Sequence, residues 1–186
     1  MKPPPAGATH VALLRGINVG RAKRVAMADL RALVEGLGYT GVKTLLNSGN
    51  VVFSAPGVTA GDAAERIEKA LEPATGVAAR VTVLTAETLA AVARENPLTE
   101  GEAEPSRFLV AFVRDAADLK PLSPLTKEDW GKEKLAVGKH AAYVWAAGGI
   151  LESRVAEAVG RALGDRATTR NWATVTKLLA LTGAAA

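Results

Sequence analysis

Apolar residues between His10 and Val92 change period again and again, and that succession constrains the fold more than any other feature of the chain. His10 to Leu14 reads as a short apolar strand, followed by the loop Arg15 to Arg24. Met27, Leu30, Leu33, Val34 and Leu37 then recur at helical spacing. Gly38 closes this helix where a left-handed residue is wanted. Val42 to Ser54 reads as two strands around an Asn47-Ser48-Gly49-Asn50 turn, because Gly and Asn tolerate positive φ. Asp62, Ala64, Ile67 and Leu71 predict a second helix. Ala79 to Leu84 alternates as a half-buried strand, and Thr85 is placed to cap a short helix running through Leu89 and Val92. Strand, helix, strand, strand, helix, strand is the ferredoxin-like order.

The second half has a similar rhythm. Asn96 to Ser106 is polar, acidic and bracketed by prolines, the composition of a linker. A strong strand, Arg107 to Val113, follows it, then an irregular stretch with Pro121, Pro124 and Trp130. Lys134–Val137 and Ala142–Ala146 predict two further strands. Leu151, Val155, Val159 and Ala162 make a helix stopped by Gly164, and Trp172, Val175, Leu178 and Leu179 make a last one stopped by Gly183. The expected class is α+β, as two ferredoxin-like α/β sandwich sub-domains with mainly antiparallel sheets. Residues 1–95 form the first, 96–106 the linker and 107–186 the second.

Composition narrows the chemistry. A chain of 186 residues buries roughly 70% of the surface its unfolded form exposes, so no staple is required. Cysteine is absent, which excludes disulfides, thiolate zinc sites and a cysteine nucleophile together. His10 and His140 are the only histidines, too few for a multi-histidine metal site; a carboxylate-held magnesium stays open, but no metal is expected. The opening MKPPPAGAT lacks the apolar stretch of a signal peptide and reads as a short flexible extension. No apolar run approaches the ~20 residues that span a bilayer. A cytoplasmic protein without a membrane partner is expected.

A formal net charge of +4 does not by itself imply nucleic-acid binding. Its distribution is more telling: Arg15, Arg21, Lys23 and Arg24 form a positive cluster with no acidic residue until Asp29. The segment Arg15-Gly16-Ile17-Asn18-Val19-Gly20 lies between a strand and a helix, where backbone amides and the positive helix end suit an anion. Its spacing is neither that of a dinucleotide fingerprint nor that of a P-loop. In the turn after the second strand, Ser48 and Asn50 add polar groups that either lock the loop or donate to a ligand. Near the end, Thr169 or Asn171 can cap the last helix. Arg170 fits that place poorly, because a cation at a helix N-terminus opposes the macrodipole unless a carboxylate or a bound anion holds it.

Across these segments, LLRGINVG, MADLRALVEGLGY, TLLNSGNVVF and TTRNWATVTKLLAL resemble the bacterial family catalogued as domain of unknown function 1697. The resemblance runs from about His10 to Leu181. It implies two linked α+β sub-domains of ferredoxin-like character and brings no activity. Where the family usually has a glycine pair, this chain has Gly20 followed by Arg21. Where the family usually has an aromatic, it has Leu45.

The expected site therefore comprises Arg15, Gly16, Asn18, Gly20, Lys23, Ser48, Asn50, Thr169, Arg170 and Asn171. The expected function is binding of a small anionic ligand, a nucleotide or phosphorylated metabolite. An enzyme acting on such a ligand and a nucleic-acid-associated protein are the alternatives, and catalytic residues, cofactor and oligomeric state are unassigned. His10 reads as structural, Ser48 lacks a base and a nucleophile-elbow context, and Glu128, Asp129 and Glu133 read as a solvated face. With 4% aromatic residues, a stacking platform for RNA has little to stand on.

Overall fold

The structure, a computed structural model, describes residues 8–98 and 100–184. The chain divides into two compact units, 8–89 with 180–184, and 90–179. Of the expected N-terminal extension, residues 1–7 lie outside the described residues. Ala8 is buried, and Thr9 already opens the first strand.

In the first unit, β1 (Thr9–Leu14), β2 (Thr40–Leu45), β3 (Asn50–Ser54) and β4 (Val81–Thr85) form one antiparallel sheet in the order β2-β3-β1-β4. Helices α1 (Met27–Gly36) and α2 (Ala60–Thr75) occupy the crossovers. Leu30 and Val34 from α1 and Ala63, Ala64, Ile67 and Leu71 from α2 pack on Ala12, Leu14, Val51, Phe53, Val81 and Val83. These are the positions that helical and strand periods select for one shared layer. Gly38 is left-handed as expected, and Thr59, a cap that sequence reading did not single out, accepts through Oγ1 from Asp62 N–H at 3.1 Å at the start of α2. Thr85 Oγ1 accepts from Thr88 N–H at 3.1 Å to start α3 (Ala86–Arg94).

The second unit repeats the topology. β5 (Phe108–Val113), β6 (Lys134–Val137), β7 (Ala141–Trp145) and β8 (Ala167–Asn171) are ordered β6-β7-β5-β8, again antiparallel. Before β5, the segment read as a linker carries the short helix α4 (Glu100–Ala103) and a 3-10 turn, Pro105–Arg107. The first crossover, an α-helix in the other unit, is here the 3-10 segment Ala116–Leu122, with Pro121 inside it and Pro124 just beyond. A proline there denies the donor and the space that an α-helical turn needs. Leu119 and Leu122 still reach the core and pack with Val155, Val159 and Leu163 of α5 (Arg154–Leu163). The chain ends in α6 (Trp172–Thr182).

Two expectations need correction. Thr169 and Arg170 are not the N-terminal cap region of a helix. They belong to β8, which pairs with β5 from Leu109↔Asn171 to Val113↔Ala167. Nor is Glu133 a solvated charge: its Oε2 accepts from Val155 N–H at 2.9 Å and from Ser153 Oγ at 3.1 Å, holding the start of α5.

Candidate functional site

The glycine loop and the hairpin turn of the first unit are built into one another. The chain leaves β1 with Leu14 N–H donating to Gly49 O at 2.9 Å and Arg15 N–H donating to Arg80 O at 2.8 Å. Ile17, 2% exposed, then turns inward. A Cβ at Gly49 would stand 2.7 Å from Ile17 Cδ1 and 2.9 Å from Leu14 Cβ, so the turn has room only for glycine there.

Asn18 holds the loop closed. Its main-chain N–H donates to Lys23 O at 2.9 Å, and its Oδ1 accepts from Val25 N–H at 2.9 Å. Its Nδ2 donates to Val25 O at 2.8 Å and to Asn47 O at 2.7 Å. The side chain thus binds Val25, at the far end of its own loop, through both N–H and C=O, and the hairpin turn as well. Asn50, fully buried, does the same within the turn, with Nδ2 donating to Leu45 O at 2.8 Å and to Ser48 Oγ at 3.0 Å.

This bonding imposes an uncommon backbone. Gly16 and Gly20 have φ of +66° and +60° with nothing within 4 Å of a would-be Cβ. Asn18, Lys23 and Leu46 are the non-glycine residues with positive φ among the described residues, and all three sit in these two loops. Lysine and leucine gain nothing from that conformation, which costs an L-residue about 1–2 kcal/mol. Strain of this kind persists where surrounding bonds over-determine it.

The outer surface of the loop is cationic. Arg15, Arg21, Lys23 and Arg24 are exposed. Among the described residues no carboxylate lies within ion-pair distance of Arg21, Lys23 or Arg24. The main-chain amides of Val19, Gly20 and Arg21 donate to no protein acceptor among the described residues. Helix α1 follows with Ala26 at its N-cap and no side-chain cap. Val19 and Leu46, 69% and 48% exposed, add apolar surface to the same two loops. Sequence reading passed over both. The signal for Leu46 was present, since the Leu45-Leu46 pair breaks the alternation of β2 just before the turn.

The other three expected site residues stand on β8 in the second unit. Asn171 Oδ1 accepts from Thr174 N–H at 2.9 Å and Thr174 Oγ1 at 2.8 Å, which makes it the N-terminal cap of α6. Thr169 is exposed. Arg170 is 8% exposed and donates from Nη1 to Thr168 Oγ1 at 3.0 Å and Thr169 O at 2.8 Å. Burial lowers its pKa to about 10, still far enough above neutrality to leave it cationic. His10 is buried, stacks on Phe53 at 5.6 Å, and has Nδ1 3.0 Å from Ala8 O. That is a packing role. Among the described residues no group of three or more His, Asp or Glu side chains could hold a metal ion.

A family model described as "Protein of unknown function (DUF1697)" matches residues 8–143, which takes in both loops of the first unit. The chain belongs to the DUF1697 family. As a DUF1697 protein it has a solved structural likeness, the conserved bacterial protein SP0830 from Streptococcus pneumoniae. The two share 21% identity at a TM-score of 0.71, over 94% of this chain and 98% of that one. At that identity the likeness concerns the fold, and the fold agrees: α+β with two four-stranded antiparallel sheets. No curated protein matches this DUF1697 chain. Among its described residues no helix is long and apolar enough to cross a membrane.

Proposed function

We propose that the loop from Arg15 to Ala26 binds a small anionic ligand, a nucleotide or phosphorylated metabolite. One observation carries this reading. A loop tied down by Asn18 presents Arg21, Lys23 and Arg24 to solvent with no described carboxylate to neutralise them. Like charges crowded on one loop repel each other, and a phosphate relieves that repulsion. Each charge-assisted hydrogen bond to it contributes about 1.5–3 kcal/mol. Because Asn18 already fixes the loop, little ordering entropy remains to oppose binding. The uncapped start of α1 favours the same sign of ligand. Val19 and Leu46 offer an apolar surface to the uncharged part of such a molecule.

The test is a thermal-shift titration with ADP, a sugar phosphate and inorganic phosphate, on the natural chain and on a triple variant, Arg21→Ala with Lys23→Ala and Arg24→Ala. A ligand at about 100 times its dissociation constant stabilises by about 2.7 kcal/mol, a rise of roughly 5–10 °C in Tm for a chain of this size. The triple variant is expected to keep its own Tm and lose the rise. No shift with any of the three probes, or an equal shift in the variant, removes the proposal.

A further inference from the structure

Between β1 and α1 the backbone changes hand at every residue from Gly16 to Gly20. Gly16, Asn18 and Gly20 have φ of +66°, +55° and +60°, while Ile17 and Val19 between them have negative φ. Alternation of this kind turns successive N–H groups toward one side and makes a concavity that binds anionic oxygens. Its first part is filled from within. Asn18 N–H donates to Lys23 O at 2.9 Å, and Ile17 beside it is buried. The second part faces solvent: Val19, Gly20 and Arg21 are exposed, and their N–H groups donate to no acceptor among the described residues. A Cβ at Gly20 would meet no atom within 4 Å, so what this position requires is the backbone hand rather than space.

The charge around these amides is unbalanced. From Arg15 to Asp29 the chain carries four cations, Arg15, Arg21, Lys23 and Arg24, and one carboxylate, Asp29, in the first turn of α1. Arg15 N–H donates to Arg80 O at 2.8 Å, which brings a fifth exposed cation beside the loop. Glu68 offsets that one, because its Oε1 accepts from the adjacent Val81 N–H at 2.7 Å. The turn from Asn47 to Asn50, tied to the loop through Asn18, is uncharged. Five cations against two carboxylates leave these segments with three positive charges in excess.

We infer that the amides of Val19, Gly20 and Arg21 grip the terminal group of a phosphomonoester in its dianionic form, and that phosphodiesters bind more weakly. The inference rests on the anion-binding reading of the same loop and narrows its ligand class. A phosphomonoester carries a charge of about −1.5 to −2 at neutral pH and offers three strong acceptor oxygens. A diester lacks the second charge and one of those oxygens. Attraction to a fixed cationic excess scales with the charge of the ligand, so the monoester gains most from this loop. An internal phosphate of a nucleic acid is a diester and falls outside the class.

Isothermal titration of the full chain with AMP and with cyclic AMP tests this, at one ionic strength and at a pH above about 7, where the monoester is dianionic. The two ligands share a nucleoside and differ in the second charge. AMP is expected to bind about tenfold or more tightly, the order that one additional charge contact of a few ångströms supports. Gly20→Asn and Gly20→Val test the grip of the backbone with every cation retained. Asparagine tolerates the left-handed region and should keep AMP binding, whereas β-branched valine does not and should weaken it by about tenfold or more. Equal affinity for AMP and cyclic AMP overturns the inference, as does undiminished AMP binding by Gly20→Val. In both cases anion binding at the loop still stands if the triple variant Arg21→Ala with Lys23→Ala and Arg24→Ala loses it. Absence of binding by either nucleotide removes the inference and the anion-binding reading together. Should Gly20→Val not fold, the comparison of the two nucleotides decides alone.

Discussion

Asn18 Nδ2 donates to the main-chain carbonyl of Asn47 at 2.7 Å, joining two loops that are 29 positions apart in sequence. The bond makes the glycine loop and the hairpin turn a single rigid element. The shape of the proposed anion site depends on it.

Replacing Asn18 with alanine should therefore lower stability by about 1–3 kcal/mol, since Val25 N–H and two carbonyls lose their partner. Asn18→Asp should fare no better. It keeps an acceptor for Val25 N–H but turns an oxygen toward the carbonyls of Val25 and Asn47. Thermal unfolding of the two variants checks this. A Tm within a degree of the natural chain for either variant contradicts the role assigned to the side chain.

Gly49 and Gly20 separate packing from conformation. Both have positive φ, but only at Gly49 would a Cβ meet Ile17 and Leu14. Gly49→Ala should cost about 2–4 kcal/mol, the sum of overpacking and left-handed strain. Gly20→Ala should cost about 1–2 kcal/mol from strain alone. Chemical denaturation of both variants provides the comparison. Equal losses would mean that the turn is not packed against Ile17.

Much of this architecture was legible in the sequence, because local signals agree with the global fold. Gly38, Thr85 and the Asn47–Asn50 turn each act where their chemistry places them. β8 escaped notice for a physical reason. Its buried positions are Ala167, Thr168 and Arg170, while Thr169 faces solvent, so the one apolar side chain it buries is a single alanine beside a hydroxyl and a guanidinium. Hydrophobic patterning cannot see such a strand. Of the two caps offered, Thr169 and Asn171, Asn171 is the one, and Thr169 lies within the strand. Within the loop, the cationic residues were evident and locking of the turn by Asn50 was one of its two readings, but the use of Asn18 as an internal tie was not. Its partners are main-chain groups, which carry no sequence signature.

Tyr39 is 5% exposed and stacks on Phe53 at 4.9 Å, yet its hydroxyl has no hydrogen-bond partner among the described residues. A buried unsatisfied hydroxyl costs about 1–3 kcal/mol. Tyr39→Phe keeps the ring and removes the penalty, so it should leave stability unchanged or raise it by up to about that amount. A drop of Tm in this variant would show that the hydroxyl does find a partner.

Glu133 is expected to matter more than its surface-like sequence context suggests. Glu133→Ala frees Val155 N–H and Ser153 Oγ at the start of α5 and should cost about 1–2 kcal/mol. Denaturant unfolding would show it. A neutral result would mean that Ser153, which accepts from Ala156 N–H at 3.0 Å, caps the helix alone.

Tyr143 gives an alkaline signature. Burial, then the nearby charge of Glu95, raise its pKa to about 12, while its hydroxyl donates to Val92 O at 2.7 Å. The native state thus holds the proton more tightly than the unfolded chain, whose tyrosines titrate near 10. That contribution is complete below about pH 10 and is lost as pH rises toward 12, about 1.4 kcal/mol per unit. Tyr143→Phe lacks it. The stability gap between the natural chain and Tyr143→Phe should therefore shrink across that window, and a constant gap in pH-dependent unfolding would contradict the assignment.

The most direct measurement on the central claim is a two-dimensional amide NMR titration with inorganic phosphate and then ADP. The account predicts saturable shifts concentrated at Gly16 and at Val19, Gly20 and Arg21, with smaller ones at Asn47 and Ser48 across the tie made by Asn18. Shifts absent from this loop at saturating anion, or centred on another part of the chain, would contradict it.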